Sequence, residues 1–202
     1  MSLRFQRVLI LPEFTNGVLG ADAQALLAFA LANASVVDVL AINCTLLAAL
    51  SIGVSQVHVL VSKAATNVRA ALPGIASLLS ALSISYDAIF VAKSSIYHAA
   101  LCRASARLNK VVITNVFEIA PDGSFVRSTA EGCYDQRVIC LSGPPYLLSI
   151  NTSITKGKAL PSPNETKTIR LIESASISSA KLSVERCIIR KGRKAFGCPS
   201  LT

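Results

Sequence analysis

Few positions in this sequence carry side chains that could do chemistry. Two histidines, six cysteines and eleven carboxylates are spread over 202 residues. Cys44, Cys102, Cys133, Cys140, Cys187 and Cys198 form no C-x-x-C pair and no metal-ligand spacing. His58 and His98 stand too far apart to complete an ordinary zinc set. The cysteines therefore read as small buried hydrophobes in a reducing compartment. No two carboxylates are spaced for acid–base work, and Cys102 without a placed base is not a nucleophile. Gly17-Val18-Leu19-Gly20 lacks the G-x-G-x-x-G spacing, and no G-x-x-x-x-G-K-S/T occurs. His58 lies in a strand pattern, where a satisfied core histidine is the default. His98 sits beside Tyr97 where a helix follows a strand, the place where open α/β sheets bind ligands, and is the better candidate. From the residues alone no catalytic site emerges, and an enzyme is not the expected reading.

Charge narrows the classes further. Hydrophobic residues make up 52% and charged residues 15%, against about 25% in ordinary domains, so a well-covered core is expected and general disorder is excluded. The net charge is +9. Residues 1–150 carry ten basic and eight acidic side chains, a net of +2, whereas 151–202 carry ten and three, a net of +7. The basic character is thus a tail property, including Arg190-Lys191-Gly192-Arg193-Lys194, and does not point to nucleic acid. The longest apolar stretch, Ala23–Leu50, is interrupted by Asn33, Asp38 and Asn43, so no membrane span is expected.

These groups need elements to position them. Arg7–Leu11 reads as a strand, Asp22–Ala34 as a helix capped by Asp22, and Val36–Ile42 as a second strand. Thr45–Ile52 reads as a short helix and Gln56–Val61 as a third strand. A helix over Pro73–Leu82 leads to a fourth strand, Ala88–Ala92. Ser94 or Ser95 caps a helix that runs to Leu108. Apolar strands separated by helices imply a mainly parallel sheet covered on both faces. Beyond that point Val111–Ala120 and Ser124–Thr129 flank Pro121-Asp122-Gly123 as a hairpin. Arg137–Leu141 and Tyr146–Ile150 follow as strands joined by Gly143-Pro144-Pro145. The expected fold is α/β, a three-layer Rossmann-like arrangement with an antiparallel extension over 1–150. A Ser-, Thr-, Lys- and Pro-rich linker follows from Thr152, with one last strand at Cys187-Ile188-Ile189.

Several segments, in order, resemble the alpha subunit of electron transfer flavoprotein. Leu3-Arg4-Phe5-Gln6 with Val8-Leu9-Ile10 is similar to that subunit's mature start. Ala88–Ala92 and Leu101-Cys102-Arg103-Ala104-Ser105-Ala106-Arg107-Leu108 resemble its fourth strand and L-x-P-R-x-A-x-x-L helix. Val112-Ile113-Thr114-Asn115-Val116 looks like its P-I-S-D-I segment, and Phe125-Val126-Arg127-Ser128 with Gly132 like its F-x-R-x-x-Y-A-G-N strand. The resemblance covers residues 3–150 with matching spacings. Departures include His98 for lysine, Cys102 for proline, Asn115 for aspartate, and Ala130, Glu131 and Cys133 around Gly132.

The resemblance implies an electron carrier, not an enzyme, acting in the mitochondrial matrix in fatty acid beta-oxidation. It implies a heterodimer with a beta subunit, electrons from acyl-CoA dehydrogenases, and FAD held almost wholly by a second domain. That domain opens with a strand and an S-G-G-R-G loop. Here Cys187-Ile188-Ile189 would be the strand and Arg190–Lys194 the loop, with Gly192 and Arg193 as the matching cofactor contacts. Residues 151–202 would then be a basic linker and a vestigial start of the FAD domain. The later flavin and adenosine motifs have no counterpart, so FAD binding by this chain alone is expected to be very weak or absent. Two other readings stay open: a non-redox module that docks a beta-type subunit, and an α/β domain binding AMP or ATP near His98.

Overall fold

Phe5–Leu11 forms the first strand, β1, and Val8, Leu9, Ile10 and Leu11 along it are all fully buried. A run apolar on both faces fits only a strand covered on both sides. Each such side chain contributes roughly 1.5–3 kcal/mol relative to exposure. The structure, a computed structural model, describes residues 5–15, 18–42, 56–61, 68–129, 134–154, 166–174 and 182–190. For 56–61, 68–70, 166–174 and 182–190 it describes the backbone alone.

After β1 come a two-rung hairpin, β2 (Phe14–Thr15) and β3 (Val18–Leu19), then α1 (Ala21–Asn33), β4 (Ala34–Ile42) and β5 (Gln56–Val61). Next are α2 (Val68–Leu82), β6 (Ala88–Ala92), α3 (His98–Leu108), β7 (Val112–Ile119) and β8 (Phe125–Thr129). The order ends with β9 (Tyr134–Val138), β10 (Tyr146–Ile150), β11 (Thr166–Ser174) and β12 (Leu182–Arg190). The main sheet runs β12-β11-β5-β4-β1-β6-β10-β7-β8-β9. Every neighbouring pair from β11 to β7 is parallel, and β12, β8 and β9 add antiparallel edges. This is the α/β fold that the sequence implied.

Alternation along the strands divides the core in two. Val8 and Ile10 face one way, with Val37, Val39, Phe90 and Leu148, against Leu26, Leu27 and Phe29 of α1. Leu9 and Leu11 face the other way, with Leu40, Ile89 and Val91, against Ile75 and Leu79 of α2 and Leu101 and Ala104 of α3. Among the described residues, one helix on one face and two on the other complete the three layers. Asp38 is a polar member of the second face and is fully buried. Arg7 holds its Oδ2 through Nε at 2.7 Å and Nη2 at 2.6 Å, and Tyr86 donates its hydroxyl to the same oxygen at 3.0 Å. The Arg7 guanidinium also lies 5.1 Å from the Tyr86 ring centre. A buried carboxylate persists only with such partners.

Several local expectations need correction. α1 starts at Ala21 with Gly20 before it, and no side chain caps it; Asp22 bonds elsewhere. Asn33, at its end, turns its amide back to the Phe29 carbonyl, 2.8 Å away. α2 starts at Val68, so Pro73 lies inside the helix instead of beginning it. α3 starts at His98, later than a Ser94 or Ser95 cap required. The strand expected at Arg137–Leu141 lies at Tyr134–Val138, and Ile139 and Leu141 are 72% and 93% exposed. Cys102, expected to be buried, is exposed. The short helix expected at 45–52 lies outside the described residues.

The largest revision concerns β10. The sequence suggested an antiparallel partner for the preceding strand, joined through Gly143-Pro144-Pro145. Instead the chain returns to the middle of the sheet, and β10 runs parallel between β6 and β7. Leu147, Leu148, Ser149 and Ile150 are all fully buried, which an edge strand could not achieve. Lys110 fastens the return loop, donating from Nζ to the carbonyls of Ser142, Gly143 and Pro144 at 2.6, 3.1 and 3.1 Å. In the stretch expected as linker, β11 joins the same sheet beside β5, and β12 folds back on β11, pairing Cys187 with Ile169.

Candidate functional site

The strand order reverses direction between β1 and β6. β4 and β5 lie to one side of that point, and β10 and β7 to the other. Open α/β sheets bind ligands outside the strand C-termini at such a point. Three connections meet there: Pro12–Gly20 after β1, Lys93–Tyr97 after β6 and Asn151–Ile154 after β10. The Lys93 N–H donates to the Ile150 carbonyl at 2.7 Å, tying the second connection to the end of β10.

Two carboxylates lace the three together. Glu13 Oε1 accepts the Ile96 N–H at 2.6 Å. Asp22 Oδ2 accepts the Ser94 hydroxyl at 2.5 Å, and Oδ1 accepts the Thr152 hydroxyl at 2.9 Å. The Ser94 hydroxyl, then that of Thr152, holds the Asp22 carboxyl below the usual carboxylate range, so it is ionised at neutral pH. Ser95 shapes the entry to α3: its hydroxyl accepts the Tyr97 N–H at 3.1 Å and its carbonyl the His98 N–H at 3.1 Å. Ser95 thus shapes the turn before the helix, but neither Ser94 nor Ser95 caps α3, whose N-cap position is Tyr97 with no side-chain cap bond.

Between these groups lies a cavity of about 30 Å³ lined by Pro12, Glu13, Asp22, Ala23, Leu26, Ala92, Ser94 and Ser95. A space of that size takes one or two waters and no nucleotide. Its two carboxylates oppose a phosphate. Glu13 also takes the Ile96 N–H just before α3, a donor that an anion would otherwise use. His98 is the first residue of α3 and half-buried, and its Nδ1 finds no hydrogen-bond partner among the described residues. It does not line the cavity.

A second, wider depression of about 410 Å³ lies at the opposite end of the sheet, between Ser83–Asp87 and Pro144–Pro145. Its polar groups are engaged in holding strands. Asp87 Oδ2 accepts the N–H groups of Gln6 and Arg7 at 2.8 and 2.9 Å, and the Tyr86 hydroxyl goes to Asp38. Among the described residues no cluster of three or more His, Cys, Asp or Glu could hold a metal ion. Nor is any described helix long and apolar enough to cross a membrane.

The other candidates from the sequence are scattered. Gly192 and Arg193 lie outside the described residues, as does the His58 side chain. Asn115 sits at an irregularity of β7 with φ 63°, and its amide donates to the Ser128 carbonyl. The aspartate of the family pattern could not make that donation. Sequence reasoning missed Glu13 and the bridging role of Asp22, because neither bond is local in sequence. It also missed the buried pair at Asp38, whose signal was a lone acid within the apolar run Val36–Ile42.

A family model described as electron transfer flavoprotein domain matches residues 9–177. The chain belongs to that family. No curated protein matches it. The match reaches from β1 through β11, past residue 150, and so takes in the strand that extends the sheet beyond β5. Members of the family are flavin-associated electron carriers, generally non-catalytic, that work with a partner of a heterodimeric kind. The crevice at the switch point does not fit a flavin. The crevice at the strand C-termini holds about 30 Å³ and presents carboxylates, whereas a cofactor pocket runs to several hundred Å³ with convergent donors.

Proposed function

We propose that this chain is an alpha-subunit-like electron transfer flavoprotein domain that serves as the scaffold half of a heterodimer. It docks a beta-type subunit in the electron path from acyl-CoA dehydrogenases, in the mitochondrial matrix, and holds no FAD on its own. The observation that carries the reading is a family match over nearly the whole parallel sheet, combined with a switch-point crevice closed by Glu13 and Asp22. The collinear segments from Leu3 to Ile150 support the alpha-type assignment. Gly192 and Arg193 remain the positions that would touch a flavin supplied by further residues.

Co-expression of the full chain with an electron transfer flavoprotein beta subunit tests both parts. A one-to-one complex on size exclusion is expected, and the chain purified alone should lack the absorbance of oxidised flavin. Failure to form the complex would overturn the scaffold role. One equivalent of bound flavin on the lone chain would overturn the cofactor part and leave the docking part standing.

A further inference from the structure

β9 is an open edge of the main sheet. It pairs with β8 on one side, from Thr129–Tyr134 to Phe125–Val138, and no described strand lies on its other side. Such an edge is a template for another strand, and natural edges are usually blunted by charged side chains, above all lysines, or by proline. This one has no lysine and no proline, and its charges are one of each sign. Its sequence is Tyr134-Asp135-Gln136-Arg137-Val138, exposed from Tyr134 through Arg137. The two charges are opposite in sign and equally spaced about Gln136.

That order is self-complementary. An antiparallel copy centred on Gln136 sets Asp135 opposite Arg137 of the second copy, and Arg137 opposite its Asp135. On the alternate face, Tyr134 meets Val138 and Gln136 meets Gln136. Tyr134 is 71% exposed, and Ile139 and Leu141 continue the apolar border just past the strand. Arg137 is free to re-pair: its contact with Asp122 spans 3.7 Å between two largely exposed side chains.

We propose that β9 is a self-recognition edge through which two copies of this chain join antiparallel about Gln136. The contact is isologous, so each main-chain hydrogen bond and each Asp135–Arg137 pair occurs twice. A five-residue edge is short, and the dimer is expected to be weak, with Kd of about 10–100 µM. This inference is independent of flavin or of a beta-type partner.

Sedimentation of the full chain from about 1 to 500 µM tests it. Wild type should pass from monomer to dimer over that range. Asp135→Arg and Arg137→Asp each set like charges opposite one another twice and should weaken Kd roughly tenfold or more. An equimolar mixture of the two variants restores complementarity and should dimerise about as well as wild type. Circular dichroism checks that both variants stay folded. A wild type monomeric throughout, variants that dimerise as wild type does, or a mixture no better than its components would each overturn the proposal.

Discussion

The two ends of β1 use carboxylates for the same purpose at different depths. At its N-terminal end Asp38 is fully buried, clamped by Arg7 and Tyr86, while Asp87 receives two backbone N–H groups. At its C-terminal end Asp22 is exposed and Glu13 half-buried, and both bridge loops. Neither end presents a free acid or base poised for a reaction. What differs is the cost of disturbing them. A buried charge has no water to turn to when its partner is removed, whereas an exposed one is rehydrated at once.

The largest effect should follow from breaking the buried end. Arg7→Met leaves Asp38 charged and unpaired in the core and should lower stability by about 3 kcal/mol. For a chain of this length that is a fall in Tm of roughly 6–12 °C. Removing both charges in Arg7→Met/Asp38→Leu should recover much of the loss, measured by urea unfolding as a double-mutant cycle. No recovery would place the Asp38 contribution elsewhere than in the ion pair.

At the exposed end, Asp22→Asn should cost only about 0.5–1 kcal/mol at pH 7. Its pH dependence gives the sharper contrast. Because the Ser94 and Thr152 hydroxyls lower the Asp22 pKa in the folded state, its contribution is present above the unfolded carboxylate value near 3.8. That contribution fades as pH falls through the lower folded value. Wild type and Asp22→Asn should therefore differ at pH 7 and begin to converge only as pH falls below 3.8. A gap that did not narrow at all as pH fell below 3.8 would mean that the charge is not what Ser94 and Thr152 recognise.

The smallest expected signal is none. Calorimetric titration with AMP or ATP should give no binding heat, since the crevice offers carboxylates where phosphates would need donors. Micromolar binding that weakened on His98→Ala would revive the nucleotide reading and make the two ends of β1 functionally unlike.

Much of this architecture was legible in the sequence, for one reason. β1, β4 and β6 are continuous apolar runs, and such runs fit only strands covered on both faces. The same rule, applied to Leu147–Ile150, would have sent β10 to the centre of the sheet; the nearby Gly-Pro-Pro turn favoured a hairpin instead. Pro73 misled because proline so often opens a helix, whereas here Val68–Leu72 precede it in the same helix. The site was less legible. Glu13–Ile96 and Asp22–Thr152 join residues far apart in sequence, and no spacing rule reaches them.

The central seat of β10 also sets an order of assembly. During synthesis β1, β4 and β6 can pair as soon as they emerge, but β7, β8 and β9 have no parallel strand to lean on until Tyr146–Ile150 arrives. Until then β6 and β7 each present an open edge in a nascent chain, the condition under which chaperones are most needed. A stop codon between Val138 and Tyr146 would do more than trim β11 and β12 from one margin of this sheet. It would leave a gap in the middle, with the hairpin of β8 and β9 attached to nothing but β7.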